Sequence, residues 1–421
     1  MMKNKKQKLI PKLRFPEFKN EENWTIKRLA DFDNLPSGDG DWILSKDISS
    51  NGSYKIVQLS SIGFGSFKEK VLKTISEETF LELNGTPIEK GDLLINRMVD
   101  ANKINCCIFP YEGKYVTSVD VCWIRQNPYI NNYFLMSLLS TGDNQIKLLS
   151  LSSGAGRVRI SKSNLFENFF FPLPKNQKEE QKIASCLSTL DEVITAHSRK
   201  LNLLKDHKKA LMQNLFPQKG QKVPNFRFPE FKNNGDWVKK KLGDKDVAFI
   251  VNEKIPIETL NVSTYISTEN MLAEFNGVSM ASNLPLFGNF TKFKNDDILI
   301  SNIRPYLKKV WKANKIGGAS NDVIVFRAKE KVISEFLEFI LKNEVFINYV
   351  MESAKGVKMP RGDKDSMLQY PIFIPSKKEQ QKIASCLSTV DELITVQKAK
   401  IKQLKIHKKG VMQGLFPKMS E

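Results

Sequence analysis

The chain repeats itself. Phe15-Pro-Glu-Phe18 followed by Trp24 returns as Phe228-Pro-Glu-Phe231 followed by Trp237, and QKIASCLST at 181–189 returns letter for letter at 381–389. Leu215-Phe-Pro217 likewise returns as Leu415-Phe-Pro417. Repetition on this scale marks one folding unit used twice, over roughly 11–217 and 224–417. The closing stretches, 179–217 and 379–417, share 25 of 39 positions. The bodies before them match only in islands, such as Gly91-Asp-Leu-Leu-Ile95 with Asp296-Asp-Ile-Leu-Ile300 and Ser118-Val-Asp120 with Ser320-Asn-Asp322. A kept scaffold therefore carries diverged bodies.

The closing stretches predict long helices. Ile183, Leu187, Leu190, Ile194, His197, Leu201, Leu204, Lys208, Leu211 and Leu215 step alternately by four and three, and Ile383 to Leu415 repeats the pattern. Prolines 174 and 375 stand before the stretches and prolines 217 and 417 after them, where a helix cannot continue. Each helix would be roughly 55 Å long with a narrow apolar seam. Such a seam needs a partner helix more than it needs its own domain's core. The other copy supplies one, so an antiparallel pair is expected, with the two bodies at opposite ends. His197 with Gln397 and Lys208 with Lys408 are equivalent polar seam positions and candidates for fixing register.

Within the bodies, Asp92–Asn96, Tyr115–Arg125, Ile298–Asn302 and Asp322–Arg327 read as strands, and 130–151 and 335–352 as helices. The expected architecture is a duplicated α/β or α+β chain with a pseudo-two-fold. One globular body covers 1–175 and a long helix 176–217; a second body covers 218–375 and a second helix 376–421.

Composition narrows the class. At 421 residues with 41% apolar content the chain has material for two or three packed domains. No run approaches the roughly 18 apolar residues of a membrane span, and the basic start is followed by no apolar stretch of the kind a secretory signal needs. Five cysteines without a CxxC pair, beside three histidines, argue for reduced thiols in the cytoplasm and against a zinc site or disulfide framework.

The net charge of +19 is unevenly spread. Residues 20–175 sum to −1 and 232–378 to +6. The first body's cations gather locally: Lys147, Arg157, Arg159 and Lys162 lie in a stretch without an acid. The second body has two such stretches, one with Arg304, Lys308 and Lys309, the other with Lys355, Lys358 and Arg361. In both copies a glycine-bearing basic loop follows the helical segment and precedes the strand that leads into the long helix. Backbone N–H groups and basic side chains converge on phosphates in such loops, and arginine forks also read guanine. These ten cations, with Arg97 at a strand end, are the candidate DNA-binding residues.

No catalytic constellation is present. Asn127-Pro128-Tyr129 lacks the second proline of the motif that holds an extruded base in amino-methyltransferases, and the second copy has no counterpart. Gly63-Phe-Gly65 is a weak fragment of a cofactor loop, and no GxxxxGK(S/T) occurs. All three histidines lie on the long helices. Asp92 and Asp120, matched by Asp297 and Asp322, suit strand ends and turns better than a nuclease cluster.

Two variable bodies, each closed by a helix carrying EEQKIASCLSTLDEVI or EQQKIASCLSTVDELI and ending in LMQNLFP or VMQGLFP, closely resemble the specificity subunit of type I restriction–modification enzymes. The resemblance implies that each body is a target-recognition domain for one half of a split, asymmetric DNA site. The helices would be spacer regions that also dock two methylation subunits. It implies no cofactor in this chain: S-adenosylmethionine would belong to the methylation subunits, and ATP with Mg to two restriction subunits. From the residues alone, a coiled-coil adaptor or an enzyme with an unrecognised methyltransferase or nuclease site stays open.

Overall fold

The computed structural model describes residues 9–218, 220–354, 356 and 359–418. The chain divides into two compact units: one ends at Ser198 and is completed from Lys400 onward, and the other is Arg199–Ala399. Each unit therefore takes part of both long helices, Gln177–Asn214 and Lys377–Leu415.

The first unit is organised on the strand Leu93–Asp100, which pairs antiparallel with Lys103–Ile108 on one side and Val121–Ile124 on the other. Beyond these the sheet continues to Ser37–Asp39 at one edge and to Arg159–Ile160 and Ser152–Ser153 at the other. Side chains alternate across a strand, and here both faces are buried. Leu93 and Ile95 meet Cys106, Cys122 and the helix residues Phe134, Leu138 and Leu148, whereas Leu94 turns to Cys107, Phe109 and Val121. A smaller sheet, Thr74–Ile75, Tyr54–Val57 and Tyr115–Thr117, extends the body.

The second unit repeats this plan around Ile298–Ser301, flanked antiparallel by Val310–Lys312 and Val323–Ala328. Ile298 and Ile300 face Phe336, Leu337 and Phe346, and Leu299 faces Phe293, Val323 and Val325. A second sheet is formed by Lys254–Pro256, Asn289–Phe293, Gly317–Ala319 and Tyr265–Ile266.

Three expected segments are interrupted. The strand expected over 115–125 is two strands in different sheets, because Asp120 turns the chain at φ 69°, a conformation that Asp tolerates better than most residues. The helix expected over 130–151 is Asn132–Leu139 and Gly142–Ser150. Thr141 Oγ1 and Asn144 Nδ2 both donate to the Leu138 carbonyl at 2.9 Å, taking the acceptor that a continuing helix would use. In the second unit the corresponding stretch is Ser334–Leu341 and Glu344–Glu352, and the Asn343 side chain caps the latter by accepting from the Val345 N–H.

The FPEF signature proves to be a clasp on the start of each long helix. The Arg14 guanidinium grips the buried Glu179 carboxylate at 2.8 and 2.7 Å, and Trp24 Nε1 donates to it at 3.3 Å. Arg227, Glu379 and Trp237 repeat the arrangement at 2.8, 2.9 and 3.2 Å. Lys182 lies over the Phe15 ring and pairs with Glu17, as Lys382 does with Phe228 and Glu230.

Within each unit the helix segments run antiparallel. In the first, Leu415 and Phe416 share a core with Ile183 and Leu187, while Lys408 pairs with Asp191 at 2.6 Å. In the second, Leu215 and Phe216 share a core with Ile383 and Leu387, while Lys208 pairs with Asp391 at 2.6 Å. The two seam lysines thus meet aspartates of the facing helix. Among the described residues no helix is long and apolar enough to cross a membrane.

Candidate nucleic-acid interface

Both units build the same rim at the end of the central strand. In the first, Arg97 N–H donates to the Asp120 carbonyl at 2.9 Å and Val99 N–H to the Val158 carbonyl at 3.0 Å, which ties the glycine arm 152–160 to the sheet edge. In the second, Asn302 N–H donates to the Asp322 carbonyl at 2.8 Å and Arg304 N–H to the Pro360 carbonyl at 2.8 Å. The arms carry matching ion pairs, Arg159 with Asp120 at 2.9 Å and Arg361 with Asp322 at 3.2 Å.

The structure brings Arg97, Arg157 and Arg159 to one rim, and Arg304, Lys308, Lys309 and Arg361 to the other. Their states differ. Arg97 is buried, with its guanidinium between Asp39 at 3.2 Å and Asp120 at 3.4 Å, so it braces the rim from inside. Arg157 is exposed and, among the described residues, has no side-chain partner. Lys162 lies over the Phe166 ring. Lys147 instead lines a pocket of about 480 Å³ with Ile26, Leu151, Phe169 and Phe170. Lys308 is shared between Glu344 at 3.0 Å and Glu274 at 3.5 Å, and Lys309 Nζ donates to the Thr268 carbonyl at 2.6 Å. Lys355 and Lys358 lie outside the described residues.

Glycine is required in the first arm. Gly154 has φ +143°, and a Cβ there would stand 2.3 Å from the Arg157 carbonyl oxygen. Tyr306, two residues after Arg304 and outside the basic pattern, stands 47% exposed. An arginine followed by Pro-Tyr between two strand patterns was the available signal.

The carboxylates that a nuclease would need are engaged elsewhere. Asp92 is buried and held by the Arg125 fork at 3.2 Å on both oxygens, while Asp297 is held by Arg327 at 2.7 and 2.8 Å. Burial pushes the Asp92 carboxyl above its ordinary range, with Arg125 opposing. Cys106 and Cys122 sit in the sheet core, where burial raises their thiols to about 12 and favours the protonated form. Among the described residues no group of three or more His, Cys, Asp or Glu is placed to hold a metal ion. The rims offer arginine forks on rigid backbone, which suits recognition of an anionic duplex.

A family model described as a type I restriction modification DNA specificity domain matches the chain twice, over residues 21–206 and 234–405. Two similar curated proteins come from Methanocaldococcus jannaschii. The type I restriction enzyme MjaVIII specificity subunit is 22% identical over 94% of this chain and 92% of its own length. A putative type I restriction enzyme MjaX specificity subunit is 22% identical over 94% and 93%. Among solved structures, the type I restriction-modification S subunit from M. genitalium shares the fold at a TM-score of 0.61 and 15% identity, covering 98% of this chain and all of that one. A chain from a study of type I R-M complex assembly and conformational transition matches at 0.52 with 17% identity, covering 94% and 97%.

Proposed function

The chain belongs to the type I restriction–modification DNA specificity family, as the non-catalytic subunit that recognises DNA sequence, and on that premise we propose that each unit reads one half of a split, asymmetric site. The carrying observation is the repeated rim. Backbone bonds at Asp120 and Asp322 are alike, while the side chains they present differ, as two unlike half-sites require. The readers in this proposal are the arginines of the two rims and arms, together with Lys355 and Lys358, which the sequence nominates but which lie outside the described residues.

In this reading the long helices set the length of the unread spacer. Half-sites read from one face of a duplex lie roughly 34–36 Å apart, or a multiple of that spacing. The helices also dock two methylation subunits. Supporting this, Gln181, Lys182, Ser185 and Thr189 are exposed, and identical residues are exposed at 381, 382, 385 and 389. One surface present twice suits two copies of one partner. Restriction subunits complete the assembly in the cytoplasm, S-adenosylmethionine is held by the methylation subunits, and ATP with Mg by the restriction subunits.

The test is to insert or delete a few residues symmetrically in both helices and map methylated adenines in cells expressing the assembled complex. The spacer should change length with both half-sites intact. Altered half-site bases at constant spacer would refute the reading.

A further inference from the structure

The turn after the central strand of the second unit carries two non-glycine residues in left-handed conformation, Arg304 at φ 50° and Lys308 at φ 53°. Such residues are strained, and they persist only where the surroundings hold them. Here bracing comes from three sides. Arg304 N–H donates to the Pro360 carbonyl, the N–H groups of Glu274 and Phe275 donate to the carbonyls of Leu307 and Lys308 at 3.0 and 2.9 Å, and Lys308 Nζ reaches Glu344 on the helix behind. Pro305 is buried under the turn.

The bracing occupies two of the turn's three cations and leaves the third. Lys308 is neutralised by Glu274 and Glu344, and Lys309 is spent on a backbone carbonyl. The Arg304 side chain is exposed and, among the described residues, its guanidinium has no hydrogen-bond or ion-pair partner, and the hydroxyl of its exposed neighbour Tyr306 has none either. A phosphate contact tolerates a flexible cation, so it does not explain a strained, rigid turn. Reading a base edge does require rigidity, because two parallel N–H donors must meet O6 and N7 of one guanine.

We propose that Arg304–Lys308 is the base-reading turn of the second unit, with Arg304 donating bidentately to a guanine in the major groove and Tyr306 packing against the neighbouring base pair. This rests on the reading that the second unit recognises one half-site. Arg304 then specifies one G·C position in that half-site, and the lysines hold the turn.

The test compares the wild-type chain with R304K, Y306A and R361A, each co-expressed with the partner subunits of its own system, by mapping methylated adenines across the host genome. R304K keeps the charge and loses the fork. The expected result is loss of discrimination at one G·C position, roughly 10- to 100-fold, with the other half-site unchanged. Y306A should weaken the same half-site. Unaltered discrimination in R304K overturns the proposal; in a companion titration of DNA binding against salt, an R304A variant that loses salt dependence while discrimination is kept would make Arg304 a phosphate contact and overturn it too. Should R361A alter one half-site while R304K alters nothing, the turn is not the reader although the unit is. If neither variant alters a half-site, or either alters both, the one-unit-one-half reading fails with it.

Discussion

The two bodies keep the same backbone bonds at the rim and use their arginines differently. In the first, Arg97 and Arg159 converge on Asp120, Asp39 completes the cluster, and Arg157 on the glycine arm is the cation left over. In the second, Asn302 occupies the position of Arg97, Asp322 holds Arg361 alone, and Arg304 is left over on a braced turn. Backbone hydrogen bonds do not depend on side-chain identity, so the scaffold survives divergence while the surface it presents changes. The clasps show the opposite regime, with Arg, Trp and Glu identical in both units. Where a buried charge must be matched, substitution is not free.

The clasps should therefore produce the largest and most equal effects. Arg14→Ala or Arg227→Ala leaves a buried glutamate without its cation and should cost about 3–5 kcal/mol. Denaturant unfolding followed by hydrogen exchange at 177–190 and 377–390 would measure each. A difference between the two of more than about 1 kcal/mol would break the equivalence.

At the rim the units should part. Arg97→Ala leaves Asp39 and Asp120 without their shared cation and should cost about 2–3 kcal/mol. The Asn302 Oδ1 is buried with no hydrogen-bond partner among the described residues. Removing a polar atom that gains nothing from the fold is close to neutral, so Asn302→Ala should cost less than about 1 kcal/mol. Equal losses in thermal or denaturant unfolding would mean that Arg97 does not brace the first rim.

A third contrast lies one residue beyond the clasp, where Glu180 and Gln380 are equivalent. Gln380 accepts from the Ile333 N–H and donates to the carbonyls of Lys331 and Pro375 at 2.9 and 3.0 Å. Glu180 accepts from the Asn131 N–H, and burial pushes its carboxyl up to about 7, opposed by that bond. The folded state thus holds its proton more tightly than the unfolded chain, whose carboxyl titrates near 4.5. The stability it contributes is complete below about 4.5 and is lost as pH rises through about 7. Glu180→Gln should leave stability nearly unchanged at acid pH and raise it by up to about 2–3 kcal/mol above pH 7. A flat difference across that window would show that Glu180 is charged in the fold.

Periodicity made the long helices and central strands legible, because a 3.5-residue seam and paired strand islands survive divergence. The breaks at Thr141 and Asn343 were harder to read, since apolar residues continue across them and only the capping side chains mark the stop. The basic loops could be placed by their order along the chain. Which of their cations are free depends on partners far away in sequence, such as Asp39 for Arg97 and Glu274 for Lys308. Glu180 reads as an ordinary acid in a helix's first turn, and only tertiary burial makes it different.

Small effects should come from the helix pairs, and they should be unequal. Lys408 and Lys208 each meet one aspartate in a half-buried setting, worth about 1 kcal/mol or less as simple ion pairs. Asp191 also accepts from the Tyr133 hydroxyl, so Lys408→Ala leaves it a donor. Among the described residues Asp391 has no comparable hydroxyl donor, and Lys208 also lies over the Phe339 ring at 5.6 Å. Lys208→Ala should therefore cost about 1–1.5 kcal/mol and Lys408→Ala about half of that. Removing Tyr133's hydroxyl with Tyr133→Phe should bring the Lys408 variant up to the Lys208 value. If the two lysine variants match without that change, Tyr133 contributes nothing to holding Asp191, and the helix pairs are equivalent in strength as well as in sequence.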